Sequence, residues 1–133
     1  MQKYYYMINS NSANKLLEVI NDAILDKKGL ELVNLDLTNI INSVTGHFVI
    51  CHANNSNHAK VIAESVERKT REILHDKPWI KEGYENAQWL LLDYSNVVVH
   101  VFQKEYREFY NLEELWADAV FKHFTEDGKL IAK

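Results

Sequence analysis

The chain has 133 residues, of which 47% are hydrophobic and 26% are charged, with one proline and four glycines. This balance predicts one soluble globular domain, and it excludes a disordered or fibrous chain and two domains joined by a Pro/Gly-rich linker. The net charge of −4 argues against a protein that binds nucleic acid mainly by neutralising phosphates, and it favours a basic protein partner.

Cysteine usage and hydropathy indicate the compartment. The single cysteine, Cys51, cannot form an internal disulfide, which is typical of a reducing environment. Residues 1–17 lack the apolar core of a signal peptide, and no apolar run reaches the roughly 20 residues that span a bilayer. We therefore expect a cytoplasmic protein without a membrane anchor.

The N-terminal half reads as helix, two strands and helix. Residues 1–11 are polar and tyrosine-rich, and we expect a flexible arm there. Apolar residues recur at helical spacing from Ser12 to Lys28, before a glycine stop. Strands are predicted from Leu30 and from His47. An asparagine-rich N-cap then begins a long helix that ends near His75.

The C-terminal half carries the remaining strands. A short strand follows Pro78, a hairpin follows at residues 89–102, and two helical turns are predicted over 104–110 and 111–116. We could not place the tail, residues 118–133. The order of elements predicts a single α/β (α+β) domain, with a mixed central sheet of about five strands covered by helices.

The hairpin WLLLDYSNVVVHVF has a two-residue turn, Ser95–Asn96, which determines its strand pairing. Alternate residues then point to opposite faces. The face that we call the inner face consists of Leu90, Leu92, Tyr94, Val97, Val99 and Val101. The opposite side, called the outer face, consists of Trp89, Leu91, Asp93, Val98, His100 and Phe102.

The inner face has the composition of a protein core. The outer face is apolar and aromatic with one acid and one imidazole, as at the centre of a protein interface. It could equally lie beneath a helix, with Asp93 and His100 hydrogen-bonded inside the fold. The residues of the hairpin leave both interpretations open.

Other chemistries receive weak support. No glycine-rich phosphate-binding motif is present, and Asp93 with His100 is the best acid–base pair, so we expect neither catalysis nor a cofactor. His47 and Cys51 share a strand face, but His52 points away. Too few ligands converge for a closed zinc site, and we expect no metal.

RNA binding is the third alternative. Tryptophans at positions 79, 89 and 116 could stack on bases, and the basic cluster at residues 68–71 could contact phosphates. The negative net charge argues against RNA as the main partner.

The segment LLDYSNVVVHVFQKEYREFYNLEELW, residues 91–116, resembles the ribosomal silencing factor family, also called Iojap-like proteins. Members carry a segment close to W-x-L-L-D-Y-G-D-V-V-V-H-V-F, followed by R-x-F-Y-x-L-E-x-L-W. Residues 45–51, TGHFVIC, are similar to the family's T-D-Y-F-V-I-C. The resemblance covers about residues 15–117, so we expect the domain to occupy residues 12–117.

The resemblance implies a translation repressor. The family binds one protein of the large ribosomal subunit, on the face where the small subunit docks, and so blocks subunit joining when nutrients are scarce. It further implies a fold similar to nucleotidyltransferases, a homodimer when free, and rim contacts to ribosomal RNA. The alternative is an RNA-binding or ribosome-assembly factor acting on the large subunit.

Matching the family's binding surface onto this chain implies a set of partner-binding residues. They are Trp89, Leu91, Asp93, Tyr94 and His100, and more loosely Arg107, Glu108 and Tyr110. Trp89 and Leu91 would be apolar anchors, Asp93 would accept from a Lys or Arg, and His100 would be a rim or orienting hydrogen-bonder.

Two positions depart from the family pattern. Gly46 and Asn96 stand where the family usually has aspartate. Their absence removes possible contacts with a basic partner. It also weakens an enzymatic interpretation, because metal-dependent nucleotidyl transfer needs clustered carboxylates.

Overall fold

The computed structural model describes residues 2–43 and 45–131, and the side chains of 13–43 and 45–131. Its helices are α1 (Gln2–Asp26), α2 (Ser56–Leu74), α3 (Lys104–Tyr110) and α4 (Leu112–Leu115). Its strands are β1 (Leu30–Asp36), β2 (His47–Ala53), β3 (Ile80–Glu82), β4 (Trp89–Asp93), β5 (Val97–Gln103) and β6 (Val120–His123). Within these residues no helix is both long and apolar enough to cross a membrane.

The strands form one mixed sheet in the order β3-β4-β5-β2-β1-β6. β2 and β5 are parallel and the other neighbours are antiparallel, which confirms the predicted mixed α+β domain. The sheet has six strands rather than about five. The additional strand is β6, in the tail that could not be placed, and it pairs with β1 from Val33↔His123 to Asp36↔Val120.

Helix α1 extends beyond the predicted start. Its backbone begins at Gln2, whereas the sequence predicts a helix from Ser12. The flexible arm predicted for residues 1–11 lies outside the described side chains. From Leu16 onwards the apolar stripe of α1 packs on the sheet together with α2.

Helix α2 begins and ends where local chemistry requires. The side chain of Asn55 accepts a hydrogen bond from the His58 backbone N–H at 2.8 Å, which caps the first turn. His75 adopts a left-handed conformation (φ 54°), and its N–H donates to Arg71 O at 3.1 Å. Pro78 lies just beyond this cap.

The predicted hairpin register is confirmed from Trp89↔Phe102 to Asp93↔Val98. The inner face is fully buried against α1 and α2 in one hydrophobic cluster. The outer face belongs to a second cluster, which α3, α4 and the β1–β2 loop cover only in part. Val98, His100 and Phe102 are buried there, while Trp89, Leu91 and Asp93 remain partly exposed.

Candidate partner-binding surface

Trp89 begins β4, at the end of the outer face that lies away from the hairpin turn and beside α3. Its ring stacks on Phe102, with centroids 5.0 Å apart, and meets Tyr110 of α3 at 4.7 Å. Its indole N–H donates a hydrogen bond to Nδ1 of His100 at 3.0 Å. The indole is therefore held on several sides by this chain while part of it stays exposed.

His100 lies beneath Trp89 and is only 3% exposed. Burial lowers the pKa of His100 to about 3, so the imidazole is neutral and its proton is on Nε2, because Nδ1 accepts from Trp89. Nε2 is buried without a hydrogen-bond partner among the described residues. His100 is therefore buried beneath Trp89 rather than at a rim, and its hydrogen bond is made to this chain's own indole.

Leu91 and Asp93 continue the exposed part of the outer face along β4. Edge strand β3 pairs Ile80 with Asp93 and Glu82 with Leu91, so these side chains lie on the same face. Ile80 is 48% exposed and extends the apolar surface. Ile80 is not among the site residues predicted from the sequence, although the alternation of β3 beside β4 indicates it.

Asp93 and His100 do not form an acid–base pair. The carboxylate of Asp93 accepts from the Ser95 backbone N–H at 2.7 Å, and Nδ1 of His100 is occupied by Trp89. Asp93 therefore stabilises the hairpin turn while remaining partly exposed beside Ile80.

Helix α3 adds aromatic side chains beside Trp89. Tyr110 is 46% exposed, and its ring lies 5.1 Å from that of Phe109, which is 78% exposed. Glu108 is exposed on the same helix. Phe109 was not singled out from the sequence, and the Phe-Tyr doublet at the end of α3 is the signal that points to it. We call Phe109, Tyr110 and Trp89 the aromatic row.

Arg107 does not face outward and is 8% exposed. Its guanidinium donates to both carboxylate oxygens of Glu113, at 3.4 and 3.3 Å, to Leu30 O at 3.3 Å and to Nδ1 of His52 at 3.0 Å. Burial and then the Arg107 charge lower the pKa of His52, which keeps it a neutral acceptor. Predicted as a partner contact, Arg107 instead attaches α3 and α4 to β1 and β2.

Tyr94 also differs from its predicted role. It is 4% exposed on the inner face, and its hydroxyl shares a 2.8 Å hydrogen bond with that of Thr70 in α2. Burial raises the pKa of Tyr94 to about 12. Alternation along β4 directs this side chain into the core, so we leave it out of the candidate surface.

Known proteins provide the decisive comparison. Residues 10–131 match the family described as "Ribosomal silencing factor during starvation". The chain belongs to the ribosomal silencing factor family. The silencing factor of Halalkalibacterium halodurans is 39% identical over 81% of this chain and 91% of its own length. A crystal structure of a protein from Chromobacterium violaceum matches with a TM-score of 0.73 and 29% identity, covering 78% of this chain and 85% of that one.

A more distant relative has a name that concerns assembly. "Mitochondrial assembly of ribosomal large subunit protein 1" from Mus musculus is 30% identical over 54% of this chain and 32% of its own length.

The two departures of this chain from the family pattern lie side by side. The His47 backbone N–H donates to Asn96 O at 3.1 Å, and a Cβ added to Gly46 would lie 3.3 Å from the same oxygen. The absent acids are thus concentrated at one place, the turn end of the hairpin.

The features considered for metal or RNA binding have structural roles or lie apart. Cys51 is a buried core residue, and His58 accepts from the Asn54 N–H and contacts Lys27 O at 2.7 Å. Among the described residues, no three His, Cys, Asp or Glu side chains form a group that could hold a metal ion. The basic cluster of α2 lies on the inner-face side of the sheet, away from Trp89, and its Lys69 pairs with Asp26 at 3.5 Å.

Proposed function

We propose that this chain binds the large ribosomal subunit through the exposed part of the outer face and the aromatic row. Bound there, it represses translation by sterically preventing the small subunit from joining when nutrients are limiting. One observation carries the proposal beyond family membership. Partly exposed apolar side chains from β3, β4 and α3 form a surface around a tryptophan that the chain holds in place.

The chemistry of this surface favours a basic protein of the subunit as the partner. Aromatic side chains at the centre of an interface contribute most of the binding energy, and Trp89 with Tyr110 has this composition. Asp93 and Glu82 lie beside the apolar centre, and the chain carries a net charge of −4. Complementary charge would accelerate the encounter with a basic partner.

Steric exclusion requires only that the chain stays bound to the large subunit when a small subunit encounters it. It needs no catalytic group, cofactor or metal, and it agrees with the occupied hydrogen bonds of Asp93 and His100. Exposed lysines such as Lys104 would add rim contacts to ribosomal RNA. The exposed apolar surface also accounts for the homodimer that we expect of the free protein in the cytoplasm.

The test is co-sedimentation with purified large and small ribosomal subunits, followed by addition of small subunits to the complex. The wild type should bind large subunits and reduce joining. Trp89→Ala should weaken binding by at least about 2 kcal/mol, because a central anchor is lost. The matched control is Ile73→Ala, which removes a 59% exposed apolar side chain from α2, on the other side of the sheet, and should bind normally.

Two results would contradict the proposal. Normal binding by folded Trp89→Ala would show that the outer face is not the interface. Undiminished joining in the presence of saturating wild-type protein would exclude steric exclusion, even if binding occurs.

A second candidate function is assistance in assembly of the large subunit, favoured by the name of the mouse relative. Cells that lack the protein should then accumulate large-subunit precursors during growth. A silencing factor without an assembly role would leave precursor levels unchanged and would alter only subunit joining. Sucrose-gradient profiles of depleted cells, in rich medium and after starvation, separate the two functions.

A further inference from the structure

The hydrogen bond between Trp89 and His100 combines two unusual features. The donor belongs to a partly exposed tryptophan, while the acceptor belongs to a histidine that is 3% exposed. The other ring nitrogen of His100 is buried without a partner among the described residues. Its ring packs edge-on against that of Phe48, with centroids 4.6 Å apart. A buried, unsatisfied N–H destabilises the folded state, so an apolar side chain would fit this place better.

We infer that His100 is a positioning residue for Trp89, which holds the indole in its binding orientation and satisfies its N–H before a partner covers the ring. The inference rests on the proposed function, because it assigns a reason for the polar group under the proposed anchor. The benefit of His100 would then appear in the complex, and its disadvantage in the free protein.

The protonation state supports this role. A neutral imidazole with its proton on Nε2 has one acceptor, Nδ1, and that atom faces the indole. Burial lowers the pKa of His100, so the acceptor persists at every physiological pH. An indole turned over in its plane would lose this acceptor.

The solvent exposure of Trp89 explains why binding and stability should respond differently. In the free protein, the partly exposed indole can shift towards solvent after its acceptor is lost, so that water satisfies the N–H. A partner that covers the ring excludes that water, and an unpaired indole N–H would then be buried in the interface. Removing the acceptor should therefore weaken the complex far more than the free fold.

The first experiment replaces the imidazole with an apolar side chain, His100→Leu. We expect at least a tenfold loss of affinity for large subunits, with a melting temperature at pH 7 that is unchanged or higher. His100→Asn places a carbonyl oxygen near the position of Nδ1, and it should retain affinity within about threefold of wild type even if it is less stable. In a Trp89→Phe background, which has no indole N–H, His100→Leu should change affinity less than twofold.

The matched control lies on the other face of the same strand pair. Tyr94→Phe removes the buried hydrogen bond to Thr70 without touching the outer face. It should lower the melting temperature and leave affinity unchanged, the reverse of His100→Leu. If His100→Leu loses affinity only in proportion to a loss of stability, or loses none, the inference is overturned.

A spectroscopic measurement tests the inference without ribosomes. The indole N–H resonance of Trp89, assigned with Trp89→Phe, should shift in His100→Leu and exchange faster with water. An unchanged resonance overturns the inference. A changed resonance, together with normal ribosome binding by Trp89→Ala, supports the positioning of Trp89 by His100 and overturns the proposed function alone.

Discussion

The two faces of the hairpin are built from adjacent residues but serve different ends. On the inner face, Leu90, Leu92, Val97, Val99 and Val101 are fully buried and tyrosine is the single polar group, paired with Thr70. On the outer face, α3 and α4 leave Trp89 and Leu91 partly exposed, and the buried N–H of His100 has no partner among the described residues. The inner face is optimised for packing, whereas the outer face retains features that reduce stability.

This difference indicates that the outer face of the hairpin stabilises the fold less because part of it is kept exposed for binding. Long helices close the inner face, because α1 and α2 both present continuous apolar stripes to it. The short helices α3 and α4 help to bury Phe102 of β5 but leave Trp89 and Leu91 of β4 partly exposed. The exposed apolar side chains that remain at β3 and β4 are therefore those that α3 and α4 cover only in part or not at all.

Adjacent leucines provide the largest contrast. Leu92→Ala, at a fully buried inner-face position, should lower the free energy of unfolding by about 4 kcal/mol, because it leaves a cavity in the core. Leu91→Ala, at a partly exposed outer-face position, should cost less than about 1 kcal/mol of stability and weaken ribosome binding instead. Urea unfolding and co-sedimentation of both variants check this, and equal losses of stability would contradict the distinction between the faces.

Substitution of Arg107 tests how α3 and α4 are attached to the sheet. Arg107→Ala should lower the free energy of unfolding by about 3 kcal/mol, because Leu30 O, His52 and the half-buried Glu113 lose their common donor. Glu108→Ala, at the exposed neighbour, should change it by less than about 0.5 kcal/mol. If Arg107→Ala is fully stable in urea but fails to bind ribosomes, Arg107 is a partner contact, as the family resemblance implied.

A pH series isolates the buried histidine. The pKa of His100 is about 3 in the folded protein and 6.5 in the unfolded chain, so the unfolded chain binds the proton first and stability falls as the pH drops below about 6.5. From pH 7 to pH 5 this contributes a loss of about 2 kcal/mol.

His100→Leu should lose about that much less between the two pH values, measured by urea unfolding. His47 and His52 also have lowered pKa values, but both are present in either protein and cancel in the difference. Identical pH dependence of the two proteins would mean that His100 becomes accessible to protons in the folded state.

The local sequence pattern was sufficient to predict the hairpin but not the elements and contacts around it. A two-residue turn and strict alternation determine the register and both faces, and an asparagine cap determines the start of α2. The roles of Arg107 and Tyr94 depend on Leu30 O, His52 and Thr70, which are distant in the sequence. β6 likewise becomes a strand through pairing with β1, so its own four residues carry little signal.

The part of the candidate surface that lies on the hairpin could also be predicted from local alternation. Trp89, Leu91 and Asp93 follow from alternation, and the family resemblance adds Tyr110. Whether the outer face lies beneath a helix could not be decided, because the coverage depends on how far α3 and α4 reach across the sheet. In the structure the coverage of the outer face differs between residues, since His100 is buried and Trp89 is partly exposed.

The smallest expected effect concerns the turn that joins the two strands. Ser95 has a positive φ of 77°, a conformation that is strained for a residue with a Cβ and easy for glycine. Ser95→Gly should raise the free energy of unfolding by about 0.5 kcal/mol, because relief of strain exceeds the extra flexibility of the unfolded chain. The backbone N–H that donates to Asp93 is retained, so ribosome affinity should not change. A loss of affinity in this variant would show that the turn itself contacts the partner, and would extend the binding surface towards Gly46 and Asn96.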